Sequence, residues 1–508
     1  MNFLYIVFLG GISACSLPPY NYFIINFFSF SLFFIFIFNQ KRKFIHANYF
    51  FKYGWYFGFG YFLCSLYWVP IALTFDPTFK LLAPIATILL PAFMAIFYGL
   101  AIFLFSIIHL KNVISSFLFF SILLGSVEFI RGLVLTGFPW NLIAFSFSES
   151  NYFIQILSII GTYSFNLICI SIFAAPALFF LKKSKKEIIV CCFFISVCFS
   201  FFIFGYIKSN EFNSLENIKN SYTIRAISSD ISIDRFYSNK DELKIVNELI
   251  ELSAPEKKMP IIFLWPEGII PESYLKDMGT YKNLFLNNFG NDDIIIMGLN
   301  SRQNKNDKNL FFNSMAVFNN ELNLIKSYNK VNLVPFGEFV PFEKVLSLIG
   351  FKTITNEYQS FSRGDARIPL TINNNKINLK FLPLICYEII YSGKLSKDKN
   401  FDYIFNISED GWFGKSVGPK QHFAHSVFRA IESGKYIIRS ANNGISAIIN
   451  PTGIVEKKIK FGSTGYIDFF ESRPTKPTTF LLFGNKIFLI LILLYIFLIF
   501  SFNRLINE

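Results

Sequence analysis

Three reactive side chains in the second half of the sequence stand at the ends of predicted strands. Glu267 follows the apolar run 261–265, Cys386 ends the apolar run 379–386, and Lys330 ends a short strand before a loop. A cysteine nucleophile needs a base for its proton and a nearby charge for its thiolate. Glu267 suits the role of base, while Lys330 suits that of holding the thiolate and donating to the oxyanion of a tetrahedral intermediate. Each residue alone also has an ordinary structural explanation, so the case depends on the three occurring together.

The strands that carry these residues belong to a predicted α/β domain, which we expect to span 208–479. From about residue 221, short β-rich runs bounded by polar turns alternate with helical stretches, and some runs are almost wholly apolar, as in buried sheets. Reactive residues gather at strand ends in such folds. The predicted strands are 222–228, 261–265, 293–298, 314–318, 379–386, 403–407 and 444–449, and the predicted helices are about 240–252, 277–288 and 421–434.

The rest of the chain has the composition of a membrane protein. Hydrophobic residues make up 53% of the 508 residues, and the mean hydropathy is +0.44. A bilayer core needs about 20 apolar residues per helix. Apolar runs fall at about 3–16, 20–38, 54–74, 83–108, 113–135, 153–181, 188–207 and 480–502. We therefore predict about eight transmembrane helices, seven within 1–207 and the eighth within 480–508. The first run is short and has the alternative of a signal peptide, although no basic residues precede it.

Basic residues predict the orientation of these helices. They follow every second helix, and they are Lys41, Arg42, Lys43, His109, Lys111, Lys182, Lys183, Lys185, Lys186 and Arg504. The positive-inside rule then places both termini in the cytoplasm and the segment 208–479 outside the cytoplasmic membrane. The net charge of +13 is explained by these loops, and no basic face interleaved with aromatic residues indicates a nucleic-acid partner.

One polar motif lies within the membrane half. Glu128 and Arg131 are three residues apart on a predicted helix, and a turn with Gly137 and Trp140 follows. Ionisable groups at membrane depth are costly and are usually paired or functional. Two readings stay open, namely an ion pair at a helix end or a lipid-facing wall of the active site.

The cysteines and histidines predict no metal or cofactor. Six of the seven cysteines lie in apolar helical runs, so Cys386 has no partner for a disulfide within the polar half. No Cys/His cluster has zinc spacing, and His422 with His425 alone is too little for a metal site. The chain also has no Walker loop and no Gly-x-Gly-x-x-Gly after a strand.

Several strings occur in order along the chain, namely the motif from Glu128 to Trp140, Trp265-Pro-Glu267, Tyr328-Asn-Lys330 through Glu338 to Pro341, Phe361-Ser-Arg-Gly364, Ile385-Cys386-Tyr387-Glu388, Asn406 to Gly414, Gly418 to His422, and Arg439 to Ile445. Together they resemble the nitrilase superfamily and more closely the apolipoprotein N-acyltransferase family, which completes bacterial lipoprotein maturation. The resemblance covers nearly the whole chain.

The resemblance implies an αββα sandwich on eight transmembrane helices, with a triad of Glu267, Lys330 and Cys386. It also implies that Glu338 supports Lys330, that Tyr387 lends its backbone N–H to the oxyanion hole, and that Glu388 is an accessory acid. Residues expected at substrate, with less support, are Trp412, Phe236, Tyr237, Asn313, Glu128, Arg131 and Trp140.

The implied reaction has two steps and no cofactor. Cys386 takes an acyl chain from a phospholipid as a thioester, and the α-amine of a diacylglyceryl-cysteine on an apolipoprotein then receives it. The implied location is the inner membrane, with the catalytic domain on the periplasmic side. An arm at 339–358 is expected either to gate lipid entry or to be an ordinary packed helix.

Two other functions are alternatives to acyl transfer. A membrane-bound amidase or nitrilase that hydrolyses a small amide would use the same triad and thioester. A non-catalytic receptor or transporter is disfavoured, because the membrane half lacks midplane charges and paired broken helices.

The sequence departs from the family pattern at two places. The loop 230–239 often carries a tryptophan in the family, whereas Phe236 and Tyr237 stand in that region here. Glu409 stands where many relatives have asparagine before Asp410, which adds a negative charge near the expected site.

Overall fold

The protein combines a helical bundle with a two-sheet domain. The structure, a computed structural model, describes residues 2–43, 46–237, 241–256, 259–305, 308–341 and 360–505. The helices are α1 Asn2–Ser13, α2 Ile24–Lys41, α3 Ala47–Leu66, α4 Ala83–Ile107, α5 Val113–Arg131, α6 Asn151–Ile154, α7 Leu157–Ala174, α8 Pro176–Leu181, α9 Lys185–Asn213, α10 Glu242–Ser253, α11 Lys282–Asn288, α12 Gly418–Ser433, α13 Thr479–Phe483 and α14 Lys486–Leu505. The strands are β1 Ile218–Ser228, β2 Ile261–Leu264, β3 Ile270–Tyr274, β4 Ile294–Lys305, β5 Lys308–Asn319, β6 Leu324–Asn329, β7 Leu370–Asn373, β8 Asn378–Ile385, β9 Tyr403–Glu409, β10 Tyr436–Asn442, β11 Ser446–Ile449, β12 Val455–Ile459 and β13 Gly465–Ser472.

Apolar helices form the membrane part. Within the described residues, six segments are long and apolar enough to cross a bilayer, namely Ile24–Lys41, Lys80–Ile107, Val113–Arg131, Leu157–Leu181, Lys185–Asn213 and Lys486–Arg504. The shorter α1 and the more polar α3 pack into the same core. The predicted membrane architecture is therefore confirmed in outline.

The helix boundaries differ from the sequence prediction by several residues, including those of the third and seventh helices. The third helix was expected at 54–74, but α3 begins at Ala47 and ends at Leu66, and the chain continues in a 3-10 turn, Val69–Thr74. Pro70 has no N–H to donate to the carbonyl of Leu66, and its ring disfavours a further α-helical turn. The seventh predicted helix, α9, continues to Asn213, beyond the expected end at 207.

Two mixed sheets form the sandwich. The first has the order β13-β1-β2-β4-β5-β6, with β3 beside β4, and the second has the order β12-β11-β10-β9-β8-β7. Their inner faces share one apolar core, which includes Ile262 and Phe405. Helices α10 and α11 cover the outer face of the first sheet. On the second sheet the outer helix is α12, which packs on the membrane bundle. This layering confirms the predicted αββα arrangement on transmembrane helices.

A buried polar cluster joins α12 to α7 of the bundle. Glu432 Oε1 accepts hydrogen bonds from the backbone N–H of Thr162 at 2.7 Å and from the hydroxyl of Ser392 at 2.6 Å. Arg429 pairs with Glu432 at 2.9 Å and donates to Thr162 Oγ1 at 2.6 Å. Because buried polar groups need partners, this cluster fixes how the sandwich sits on the bundle.

Candidate active site

The fold brings the strand-end residues into one buried cluster. Glu267 follows β2, Lys330 follows β6 and Cys386 follows β8. Lys330 Nζ donates to Glu267 Oε1 at 3.0 Å and to Glu338 Oε1 at 2.9 Å. The exposed fractions are 6% for Glu267, 1% for Lys330 and 7% for Cys386, so all three residues are buried. Glu338, expected to support Lys330, is in direct contact with it.

Asn313 holds the two carboxylates of this cluster together. Its Nδ2 donates to Glu267 Oε1 and to Glu338 Oε1, both at 2.7 Å. A side-chain amide has two N–H donors, so both are engaged. Asn313 was expected at substrate. The structure instead places its amide group in the framework that orients the base and the lysine.

The charges of the cluster act on one another. Burial lowers the pKa of Lys330, but the carboxylates of Glu267 and Glu338 outweigh burial and hold that pKa well above its usual value. Burial raises the pKa of the Cys386 thiol, and the Glu267 carboxylate raises it further, while Lys330 opposes both. At neutral pH the lysine is therefore charged and the cysteine is a protonated thiol. Such a thiol must lose its proton as it attacks.

Cys386 lies on a sharp turn. It has a φ of +47°, in the left-handed region that non-glycine residues rarely adopt, and it opens the 3-10 turn Cys386–Ile390 directly after β8. Strained backbone of this kind clusters at active sites. Here it turns the chain sharply after β8 at the residue that carries the thiol.

Glu388 secures this turn against the segment that carries Lys330. It is fully buried, and its carboxylate accepts from the backbone N–H groups of Ile385 at 3.0 Å and Val331 at 2.9 Å. It also pairs with Arg367 at 3.1 Å. Glu388, expected as an accessory acid, thus ties nucleophile and lysine together. Arg367 was not predicted, because a single arginine in a loop carries no sequence signal of burial.

Tyr387 links the nucleophile to the membrane part. Its hydroxyl donates to the carbonyl of Gly137 at 2.9 Å, and its ring stacks on Phe138 with centroids 6.4 Å apart. Trp140, from the same loop, donates Nε1–H to Gln421 at 2.9 Å and stacks on His422 at 5.3 Å. The loop after α5 is therefore part of the structure that supports the site.

Glu128 and Arg131 lie inside the bundle rather than on a wall of the site. Both are buried, and they form an ion pair with each other. Arg131 also donates to the carbonyl of Phe138, and Tyr98 donates its hydroxyl to Glu128 at 2.7 Å. These contacts favour the reading of an ion pair at a helix end, which here holds the loop that contacts Tyr387.

An aromatic wall borders the base. Trp412 contacts Phe236 at 5.2 Å, Tyr237 at 6.4 Å and Phe75 of the membrane part at 6.1 Å between ring centroids. A Cβ on Gly268, the residue after Glu267, would lie 3.4 Å from the ring of Phe236. Trp412, Phe236 and Tyr237, three of the four aromatic residues expected at substrate, thus share one surface beside Glu267.

His422 contacts the turn that carries Cys386, a position that the sequence did not predict. Its Nε2 lies 3.2 Å from the carbonyl oxygen of Cys386, and its Nδ1 lies 2.9 Å from Asp410. Asp410 in turn accepts from Arg439 at 2.8 Å. The motif order around Asp410 and His422 was visible in the sequence, but their contact with Cys386 was not.

The arm expected at 339–358 lies, after Pro341, outside the described residues.

Comparison with known proteins identifies the family. A family model described as the apolipoprotein N-acyltransferase N-terminal domain matches residues 9–175, and one described as carbon-nitrogen hydrolase matches residues 242–468. A protein of Agrobacterium fabrum named apolipoprotein N-acyltransferase is 31% identical over 472 residues, which cover 90% of this chain and 88% of that protein. The chain belongs to the apolipoprotein N-acyltransferase family.

A second relative agrees with this assignment. A second apolipoprotein N-acyltransferase, from Rickettsia prowazekii, is 31% identical over 466 residues, which cover 90% of each chain. A crystal structure of an amidase from Nesterenkonia sp. covers 51% of this chain and 93% of its own, with 10% identity and a TM-score of 0.33, which is too low to support an argument. As a member of the apolipoprotein N-acyltransferase family, the protein is a membrane acyltransferase with a nitrilase-like domain.

Proposed function

We propose that this acyltransferase moves an acyl chain from a phospholipid to the α-amine of a diacylglyceryl-cysteine at the N-terminus of an apolipoprotein, through a thioester on Cys386. The curated relatives are named for N-acylation of apolipoproteins. The observation that carries the proposal is that the nucleophile turn is fastened to the membrane part, since Tyr387 donates to the carbonyl of Gly137 at 2.9 Å. A thiol held there meets lipid-anchored substrates at high effective concentration.

In the first step, Cys386 Sγ attacks the ester carbonyl carbon of the phospholipid while Glu267 takes the thiol proton. The oxyanion receives hydrogen bonds from Lys330 and from the backbone N–H of Tyr387. An ammonium group has three N–H donors. Two of those on Lys330 engage Glu267 and Glu338, which leaves one for the oxyanion among the described contacts. The C–O bond then breaks, and the proton on Glu267 passes to the departing lysophospholipid. One oxyanion donor is worth roughly 3 kcal/mol of barrier.

In the second step, the α-amine of the acceptor attacks the thioester carbonyl. Glu267 takes a proton from the amine, the C–S bond breaks, and the proton returns to the Cys386 sulfur. The amide product leaves the enzyme in its starting state. Lys330 stays charged through both steps, because its two carboxylate neighbours hold its pKa well above the usual value despite burial.

The proposed orientation places the catalytic domain outside the cytoplasmic membrane and both termini inside. Lys41 Nζ donates to the carbonyl of Ile108 at 2.5 Å, and the backbone N–H of Lys111 donates to Asn503 at 3.0 Å. Three of the basic helix ends therefore share one end of the bundle. Helix α5, about 28 Å long, separates them from the loop at Gly137 that supports the site. This arrangement supports the positive-inside assignment.

A transfer assay tests the function. Purified enzyme in detergent is given phosphatidylethanolamine and a peptide with an N-terminal diacylglyceryl-cysteine, and the product is analysed by mass spectrometry. We expect an N-acylated peptide from the unchanged enzyme and none from Cys386→Ala. A peptide whose α-amine is acetylated is the matched acceptor control. Release of free fatty acid with no acylated peptide would reject transfer in favour of hydrolysis.

A further inference from the structure

Glu409, the last residue of β9, contacts the proposed base directly. Its backbone N–H donates to Glu267 Oε2 at 3.0 Å. The other oxygen of Glu267 accepts from Lys330 and Asn313. Glu409 thus fixes the second oxygen, and the position of its backbone sets the direction in which the carboxylate of Glu267 points.

The side chain of Glu409 is buried and is paired with a buried arginine. Its carboxylate forms an ion pair with Arg235 and accepts from Asn442 Nδ2 at 2.7 Å and from the backbone N–H of Gly411 at 2.8 Å. Arg235 and Glu409 are both almost wholly excluded from solvent. A buried charge is tolerated only when it is paired and hydrogen-bonded, so each residue needs the other.

Arg235 reaches the opposite side of Glu267. It donates Nη2–H to the carbonyl of Gly268, the residue after the base, at 3.2 Å. Its guanidinium lies over the ring of Phe236, 4.4 Å from the centroid, and so anchors the aromatic wall as well. The ion pair therefore brackets Glu267, with Glu409 bonded to its carboxylate and Arg235 bonded to the backbone that follows it.

We propose that the Arg235–Glu409 ion pair is a positioning pair that orients the carboxylate of Glu267 and keeps the charge around it balanced. In a buried site of low dielectric, an unpaired guanidinium beside Glu267 would favour its ionised form and weaken it as a base. With the pair intact, the extra carboxylate at 409 adds no net charge. This inference rests on the proposed function.

Other charged groups also face Glu267 or its thiol partner. They are Lys330 and Glu338 from the lysine segment, Cys386 from the nucleophile turn, and Asp410 with its partners His422 and Arg439. None of them changes in the variants below. A difference in pH dependence between those variants therefore reports on the Arg235–Glu409 pair.

The test measures the rate of Cys386 acylation by phosphatidylethanolamine against pH, by intact mass of the full-length enzyme in detergent. Glu409→Gln leaves Arg235 charged and unpaired, because arginine does not lose its proton in proteins. We expect the acidic limb of its rate–pH profile to move to lower pH by about one unit, and the acylation rate on the plateau to fall. The double variant Arg235→Met with Glu409→Gln removes both charges, and its limb returns to the wild-type position.

Further variants keep the test decisive. Glu409→Asp retains the charge, so its limb stays at the wild-type pH. If Glu409→Gln does not fold, Glu409→Asn removes the same charge with a shorter amide and is expected to move the limb in the same direction. The inference is overturned if the acidic limb stays at the wild-type pH when the charge at 409 is removed. It is also overturned if the limb of the double variant does not return to the wild-type pH. A wild-type enzyme that gains no acyl chain overturns the proposed function and this inference with it.

Discussion

At the scale of single residues, neighbouring charges separate the proposed roles of proton acceptor and oxyanion donor. Lys330 lies between two carboxylates that raise its pKa well above the usual value, although burial acts in the opposite direction. A lysine in that state cannot accept a proton, and the proposed base is Glu267, one of the two carboxylates in contact with it. The thiol of Cys386 is also protonated at rest, because burial raises its pKa. Deprotonation and attack therefore belong to the same step.

The protonated thiol gives a prediction about reactivity toward iodoacetamide. Because the folded-state pKa of Cys386 is raised, the thiolate fraction is small at neutral pH and grows about tenfold per pH unit below that pKa. We expect the alkylation rate of Cys386 to rise steadily from pH 6 to pH 9 without a plateau, as measured by peptide mass spectrometry. Cys386→Ala provides the background from the other cysteines. A plateau already present at pH 7 would mean a preformed thiolate and would contradict this description.

Some residue roles could be predicted from the sequence and others could not. Glu267, Lys330 and Cys386 were predicted because each ends a strand with a reactive group. The position of Asn313 between two carboxylates depends on the register of β5 beside β4, which pairs it with Asn300. The Arg235–Glu409 pair joins residues 174 positions apart. A one-dimensional pattern shows the extra charge at 409 but not the arginine that neutralises it.

At the scale of elements, the base is held by the close approach of two parallel strands. Gly298 of β4 lies against the residues that follow β2, and its backbone N–H donates to the carbonyl of Pro266 at 3.2 Å. A Cβ at this position would lie 2.5 Å from Glu267 Cα and 2.8 Å from the backbone nitrogen of Gly268. Both neighbours are backbone atoms, so a side chain here must displace the segment that carries Glu267.

We predict that Gly298→Ala lowers the rate of Cys386 acylation by about a hundredfold, because a displacement near 1 Å at a catalytic group costs that much. The enzyme should still fold, since the substitution adds a single methyl group within β4. Gly279→Ala is the matched control, because a Cβ there meets nothing within 4 Å. Both variants are compared by intact-mass kinetics and by thermal unfolding in detergent. Wild-type kinetics in Gly298→Ala would show that the contact does not position the base.

The strands that the sequence did not predict include one buried strand with polar residues inside. Strand β10 is wholly buried yet carries Arg439 and Asn442, whose partners are Asp410 and Glu409. Hydrophobic patterning detects strands such as β2 and β9 but misses a buried strand whose polar groups are satisfied by tertiary contacts. Strand β12 was missed for another reason, since it carries exposed charged residues at 456–458 and gives no apolar run.

At the scale of the whole molecule, the sandwich and the bundle act as one structure around the thiol. Tyr387 bonds to the loop after α5, and Glu432 of α12 bonds to Thr162 of α7. Because the two contacts lie on different elements of each part, they hold the catalytic domain in a fixed pose over the bundle. Such a pose suits a site whose substrates are confined to a membrane surface.

The proposed orientation predicts which positions are reached from outside the cell. Lys460→Cys, in an exposed turn after β12, should react with a membrane-impermeant maleimide in intact spheroplasts. Lys183→Cys, in the exposed basic loop before α9, should react only after the membrane is permeabilised. The unchanged chain supplies the background from native cysteines. Labelling of Lys183→Cys in intact spheroplasts would invert the orientation and move the site to the cytoplasmic face.

Detection of the covalent intermediate is the most direct test of the thioester mechanism. Detergent-purified enzyme is incubated with phosphatidylethanolamine in the absence of any acceptor, and its intact mass is measured beside that of Cys386→Ala. We expect a gain of one fatty-acyl mass that hydroxylamine removes and that the variant lacks. A folded enzyme that acylates the acceptor peptide but never carries this adduct, or an adduct that persists in Cys386→Ala, would contradict the mechanism.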